Sequence, residues 1–421
     1  MVSEASSRRC RLGIMDVKIL HVAQAVSRNF GGVQTVVHDL VRAQAAAGHS
    51  VDVVSTNVDA PHGVLPVVPN RFVERDGARW CHCSVEFRPL LVSWDLEKYI
   101  RKNIKCYDIA EIHGLYRFPP TYAAWQARKQ GVPYVIRPHG SLDPYLYDRS
   151  STGRLRFKRL YERWFDLPNL HAASAIHYTA EEERERAAFL RLRAPSFVVP
   201  NGLDWAQYRS LPARGALRAR WGLGEAPLVL FLGRLHFKKG LDLLVPAFDA
   251  LRRRVPDVQL VIAGPENDAY GEQVRGWVRE RALDAAVRFV GPLHGADVVQ
   301  AYVDADVFAL PSYTENFGMT VVEALACRLP VVISDQVNIH AEISGAGAGL
   351  VTRCDAGEVA QALETLMADA GRRRAMGEAG RRLVQARFTW PAIVEALTAE
   401  YERVIVRHRA KAARVAAGEA R

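Results

Sequence analysis

The chain has 421 residues, 49% hydrophobic and 24% charged, a balance that excludes an intrinsically disordered protein and suits a globular enzyme. The length accommodates two domains of ordinary size, and no stretch reaches the ~18 uninterrupted apolar residues of a membrane-spanning helix. The formal charge of +10, from 56 basic and 46 acidic residues, favours anionic partners such as nucleotides, acidic lipids or nucleic acid without choosing among them.

The opening MVSEASSRRCRLGIMDVKIL holds no apolar signal core, because Arg11, Asp16 and Lys18 interrupt it. Residues 1–15 therefore read as a flexible extension, with cytoplasmic residence as the expectation. In the first half, the β-branched runs at 17–23, 50–56, 107–114, 133–140 and 175–180 read as buried strands. Amphipathic segments separate them, among them GVQTVVHDLVRAQAAAG, stopped by Gly48. Turn residues crowd and the periodicity lapses over 198–227, a seam. The pattern then restarts with strands expected at 226–235, 257–264, 287–291, 305–312, 330–334 and 349–352. The end reads as one long helix with Ile393, Leu397, Tyr401 and Val404 along one side and a basic, frayed tail.

Strand–helix alternation, twice over, predicts an α/β protein of two Rossmann-like, doubly wound parallel sheets. The expected domains are 16–205, 206–390 and a C-terminal helix 391–421 that returns to the first. In such proteins ligands bind at the carboxyl ends of the strands, here expected in a cleft between the domains. Cys10, Cys81, Cys83, Cys106, Cys327 and Cys354 are scattered, and Cys81-His82-Cys83 lacks a second pair at zinc spacing. Reduced thiols and no metal are expected.

Two strand ends in the second half point toward phosphate. Arg234, Lys238 and Lys239 precede a helix opening at Gly240, which combines fixed positive charge with free backbone N–H groups; a basic surface turn is the plainer alternative. PSYTENFGMTVVEAL (311–325) passes from strand through a loop into a second helix, and Gly318 lets backbone approach a ligand. Its two acids, Glu315 in the loop and Glu323 just over one turn inside the helix, are suited to accepting hydrogen bonds from vicinal hydroxyls of a ribose or hexose. Spacing alone leaves open that Glu315 faces the helix dipole and Glu323 faces solvent. His113 and His139 end parallel strands and are each followed by glycine. Asn201-Gly202 reads as a structural turn. In RSSTGRLRFKRLYERWF (149–165), basic residues alternate with aromatic and aliphatic ones. The segment is either a helix resting on an anionic membrane, or an ordinary one with Phe157, Leu160, Tyr161 and Trp164 in the core.

PSYTENFGMTVVEALACRLPVV resembles the glutamate-x7-glutamate signature of the retaining glycosyltransferases of family GT4, which have the GT-B fold. GGVQTVVHDL, PHGSLDP, PNGLD, FLGRLHFKKGLDLL and ARFTWPAI match that family in the expected order, and the resemblance covers about residues 16–408. It implies a nucleotide-sugar donor and no cofactor. Arg234 and Lys239 would hold the donor diphosphate, with Lys238 second in rank. Glu323 would bind the ribose, and Glu315 the sugar hydroxyls beside the backbone of Asn316, Phe317 and Gly318. Gly32 would approach the phosphates, His139 would reach the sugar and line the acceptor side, and the backbone at Gly291, Pro292 and Leu293 would meet the base. Domain closure would exclude water, no metal would be needed, and Glu315 would orient the sugar rather than attack it. The implied acceptor is a saccharide or lipid-linked saccharide of bacterial surface-polysaccharide or lipopolysaccharide assembly, at or near the cytoplasmic face of the inner membrane. A nucleotide-sugar 2-epimerase of similar fold is the alternative enzyme. A non-enzymatic binder of anionic surfaces is the remaining one; the basic residues are dispersed and no RNA-stacking motif appears, so nucleic acid is not an expected partner.

Overall fold

A computed structural model describes residues 16–27, 31–59, 63–145, 158–266 and 269–418. The chain divides into two units, one running up to Gly202 and resuming at Trp390, the other spanning Leu203–Thr389.

In unit 1 the apolar runs become strands buried on both faces, as parallel sheets covered by helices require. The strands of the unit are β1 (Lys18–Ala25), β2 (Ser50–Thr56), β3 (Phe72–Arg75), β4 (Ala78–Cys83), β5 (Ile109–His113), β6 (Tyr134–Arg137), β7 (Ala175–Tyr178) and β8 (Ser196–Val198), in sheet order β3-β4-β2-β1-β5-β6-β7-β8, with the edge strand β3 largely exposed. The sheet is parallel except at one edge, where β3 pairs antiparallel with β4. The cause is the Asp76-Gly77 turn, both residues at positive φ (55° and 79°), which joins a two-strand hairpin. The helix Trp390–Ala416 belongs to this unit and buries Ile393, Leu397, Tyr401 and Val404. At its start Trp390 packs so closely on Gly202 that a Cβ there would lie 2.4 Å from the indole.

Unit 2 carries β9 (Leu228–Leu232), β10 (Gln259–Ala263), β11 (Val287–Gly291), β12 (Val307–Leu310), β13 (Val331–Ser334) and β14 (Gly349–Thr352). All are parallel, in the order β11-β10-β9-β12-β13-β14. The order reverses between β9 and β12. In unit 1 it reverses between β1 and β5. These are the switch points at which adjacent strand-end loops diverge and leave a crevice.

Candidate functional site

The switch point of unit 2 is built by two loops. After β9 the chain runs through Arg234, the single turn Phe237–Lys239 and Gly240 into the helix Leu241–Arg252. After β12 it runs through Pro311–Gly318 into the helix Met319–Ala326. Gly240 has φ 69°, and a Cβ on it would lie 1.9 Å from the Pro311 carbonyl oxygen, so only glycine lets the loops meet backbone to backbone. The Tyr313 N–H donates to the Lys238 carbonyl at 2.8 Å, and the Tyr313 hydroxyl donates to Asp242 Oδ2 at 2.7 Å. This seam brings the Lys239 ammonium and the Glu315 carboxylate into an ion pair, their side chains 21% and 18% exposed.

Glu315 is held from its other side as well. Its N–H donates to the Gln336 carbonyl at 3.1 Å, and its own carbonyl accepts from the Asn338 N–H at 3.1 Å. Phe317 is buried, edge-on to Phe388 with ring centroids 5.6 Å apart, so its side chain serves the core and only its backbone is left for a ligand. Gly318 caps the following helix at φ 80° and has no side chain to satisfy the first-turn amides. Glu323 is half-buried one turn on, where the Tyr302 hydroxyl donates to its Oε2 at 2.9 Å. Burial, reinforced by the Glu323 charge, holds Tyr302 well above the usual phenol range, so it stays a donor.

Arg234 is exposed, and among the described residues its guanidinium has no partner. The ends of β9, β10 and β11 are drawn together beside it. A Cβ on Gly264 would lie 1.9 Å from the Gly233 carbonyl oxygen, and the Gly264 N–H donates to the Gly291 carbonyl at 2.8 Å. Gly291 turns out of β11 at φ 70°, followed by exposed Pro292 and half-buried Leu293. The structure thus joins Lys238, Lys239, Glu315, Asn316, Phe317 and Gly318 at one seam, with Arg234 on the first loop and Glu323 in the second helix. Gly291 and Leu293 lie farther along the sheet edge.

Gly32 and His139 belong to unit 1. Gly31, at φ 112°, precedes the helix Gly32–Ala46, whose first residue is Gly32 and which has no side-chain cap. His139 follows β6 in the left-handed region at φ 52°, a conformation uncommon for a residue with a Cβ. Buried Glu183 pins the next residue by accepting the Gly140 N–H at 2.7 Å. Behind His139 lies a polar cluster that the sequence reading did not assemble. His139 Nε2 is 3.0 Å from His113 Nδ1, His113 Nε2 is 2.8 Å from His21 Nδ1, and His21 Nε2 is 2.7 Å from Gln44 Oε1. Fully buried Glu111 accepts from the Tyr401 hydroxyl, lies 3.1 Å from His177 Nδ1 and faces Arg137 at 3.6 Å. Burial alone would raise the Glu111 pKa; the His177 bond and the surrounding imidazoles outweigh it and hold the carboxyl well below its ordinary range. Burial pushes His21, His113 and His139 down, toward neutral imidazoles.

Tyr302 and Tyr313 were missed as site-building residues, as were His21, Gln44, Glu111 and Tyr401. One signal was legible: a glutamate and a histidine inside the otherwise apolar run IAEIH. Of the aromatic segment 149–165, residues up to 157 lie outside the described region. Beyond it Leu160 and Trp164 are exposed, so the core placement expected as an alternative fails for both; Tyr161 is half-buried. Among the described residues no helix is long and apolar enough to cross a membrane.

Residues 30–207 match the family model "Glycosyltransferase Family 4", and residues 214–383 match "Glycosyl transferases group 1". A D-inositol 3-phosphate glycosyltransferase of Kineococcus radiotolerans is 36% identical over 255 residues, 56% of this chain and 58% of that one. A GDP-mannose-dependent alpha-(1-6)-phosphatidylinositol monomannoside mannosyltransferase of Mycobacterium tuberculosis is 35% identical over 208 residues, 47% of this chain and 54% of that one. The chain thus spans little more than half the length of the curated relatives it matches. Among solved structures, a sucrose-phosphate synthase of Thermosynechococcus elongatus aligns over 93% of this chain and 100% of its own, with a TM-score of 0.74 at 24% identity. Two glycosyltransferase models in tandem, over two Rossmann-like units with this strand order, establish that the chain belongs to the GT4 glycosyltransferases and has their GT-B α/β fold.

Proposed function

We propose that the chain transfers a hexose-type sugar from a nucleotide-diphosphate sugar to a hydroxyl of a saccharide or lipid-linked saccharide, with retention of anomeric configuration and without a divalent metal. The observation that carries this reading is the glycine-enforced seam in unit 2. It sets Lys239 and Glu315 face to face on loops that also bear Arg234 and the uncapped amides after Gly318. Breaking the anomeric C–O bond builds negative charge on the departing phosphate, and fixed cations and amides that hold it more strongly as the charge grows lower the barrier. Arg234 and Lys239 are assigned to the diphosphate, with Lys238 beside them. Glu323, oriented by Tyr302, is assigned to the ribose and Glu315 to the sugar hydroxyls. Gly32 is assigned to the phosphates, His139 to the sugar, and the backbone of Gly291–Leu293 to the base.

On the acceptor side, Leu160, Trp164 and Phe165 are 57%, 66% and 54% exposed beside exposed Arg159 and Arg163. Apolar rings flanked by cations suit an anionic lipid surface. That supports an acceptor presented at a membrane, and the reading is of an enzyme working at the cytoplasmic face in surface-polysaccharide or lipopolysaccharide assembly. The names of the curated relatives add phosphorylated inositol and phosphatidylinositol mannosides as acceptors to try.

The test is to incubate the protein with uridine and guanosine diphosphate sugars and a panel of these acceptors, following nucleoside diphosphate release and the product's anomeric configuration. The expected result is acceptor-dependent release with retention, unchanged by a chelator. Conversion of the donor to its epimer without acceptor, or no turnover with any donor, would overturn the reading.

A further inference from the structure

The histidine cluster of unit 1 has a direction, and it can be worked out proton by proton. The Tyr401 hydroxyl, kept protonated by burial and by the Glu111 charge, gives its one proton to the Glu111 carboxylate. It can therefore only accept from Gln44, so the amide nitrogen faces Tyr401, at 3.4 Å, and the amide oxygen faces His21. That oxygen requires a proton on His21 Nε2. A neutral His21 then has a bare Nδ1, which requires a proton on His113 Nε2, and a bare His113 Nδ1 requires a proton on His139 Nε2. The last nitrogen in the series, His139 Nδ1, carries a lone pair. Among the described residues it has no protein partner, and it is not one of the polar atoms sealed from solvent.

We infer that His21 and His113, anchored through Gln44 and Tyr401 to Glu111, are positioning residues that lock His139 in its Nε2–H tautomer. Nδ1 is thereby offered as a hydrogen-bond acceptor for a substrate hydroxyl. The inference rests on the substrate-facing role proposed for His139. A rotating surface imidazole would populate both tautomers and present a donor part of the time. The strained φ of 52° and the Glu183 clamp on Gly140 fix where the ring stands, and the imidazole series fixes which edge accepts.

The same atoms of His21, Glu111 and His113 lie within 4.8 Å of one another, close enough to invite a metal ion. The ring geometry argues otherwise. The His21 and His113 rings have centroids 5.2 Å apart and planes 13° apart, with nitrogens 2.8 Å apart. They are thus edge to edge, one nitrogen aimed at the other, as in an N–H···N bond rather than converging on a third point. Glu111 Oε2 is already taken by Tyr401.

Histidine nitrogen shifts of the intact protein, labelled at histidine, read each tautomer directly. The expectation is a protonated Nε2 and a bare Nδ1 on His139. A protonated Nδ1 would overturn the inference, as would a stoichiometric divalent metal that survives purification. His113→Gln keeps an acceptor for His139 and a donor for His21, so it is expected to keep the tautomer and turnover close to wild type. His113→Phe keeps neither. Its His139 is expected to become a tautomer mixture, kcat to fall on the order of tenfold, and the acid limb of the pH profile to move up toward an ordinary imidazole. The melting rise induced by nucleoside diphosphate should stay unchanged. That limb reflects His139 in the field of Arg137, Glu111, His113 and His177, which surround it from β5, β6 and β7. Identical pH profiles in wild type and His113→Phe would overturn the inference. Full activity of His139→Ala with the tautomer as assigned would instead sink the substrate-facing role, which keeps the two failures apart.

Discussion

Gly240→Ala is the sharpest perturbation of the donor site, because its effect follows from a single contact. The new Cβ would lie 1.9 Å from the Pro311 carbonyl oxygen, where an ordinary C···O contact is about 3.3 Å, so the two loops must separate by more than an ångström. Overpacking of that kind costs ~1–3 kcal/mol, and alanine at φ 69° adds ~1–2 kcal/mol. The sum, roughly 2–5 kcal/mol, corresponds in a domain this size to a melting temperature lower by roughly 4–20 °C. Gly276→Ala is the control. It lies in the helix Ala269–Glu280 with nothing within 4 Å of the new Cβ, so relief of glycine's backbone entropy should stabilise by ~0.5–1 kcal/mol. Scanning calorimetry of both variants, with and without nucleoside diphosphate, reads the pair. Gly240→Ala should also lose most of the nucleotide-induced rise, since Lys238 and Lys239 move away from the Glu315 loop. Wild-type melting and wild-type nucleotide response in Gly240→Ala would refute the role given to the loop seam.

Glu323→Ala should diminish the melting rise produced by nucleotide, whereas Glu315→Ala should reduce turnover more than nucleotide affinity; normal turnover in both removes the site assignment. Tyr302→Phe deletes one charge-assisted hydrogen bond that orients Glu323, so folding stability should fall by ~1.5–3 kcal/mol and nucleotide affinity should weaken; titration calorimetry reads the affinity, and an unchanged value argues against Glu323 at the ribose. Stability should also fall with acid. His21, His113 and His177 are held below their ordinary value of 6.5 by burial, so the unfolded chain takes up protons that the folded one resists. Their contribution is intact above about pH 6.5 and falls below it, by at most ~1.4 kcal/mol per pH unit for each imidazole. A urea midpoint that does not move between pH 7.5 and 5 would contradict this. For the membrane surface, Trp164→Ala should weaken sedimentation with anionic liposomes and leave solution turnover intact; equal sedimentation of both proteins would remove that surface from the account.

The six strands of unit 2 were legible because each is a mainly apolar run between turn residues, interrupted in β11 by Arg288, and the parallel sheet followed from their alternation with helices. The strands missed were β3, β4 and β8. β3 is an exposed edge strand whose FVER has no apolar run to read, and β8 spans three residues; the Asp76-Gly77 turn was the available clue. The glutamates, the lysines and the loop glycines were legible as residue types at strand ends. Their partners were not. Tyr302 meets Glu323 across 21 positions, and Tyr401 meets Glu111 across 290. Only the folded chain brings such pairs together, and no local period encodes them. Phe317 shows the reverse case: it stands in the motif, but its ring belongs to the core.

The most direct measurement is a crystal structure of the protein soaked with uridine or guanosine diphosphate. The expected result is a pyrophosphate within hydrogen-bond reach of Arg234, Lys239 and the amides following Gly318, with Glu323 on the ribose hydroxyls. A nucleotide held elsewhere on the molecule, with those groups untouched, would contradict the account.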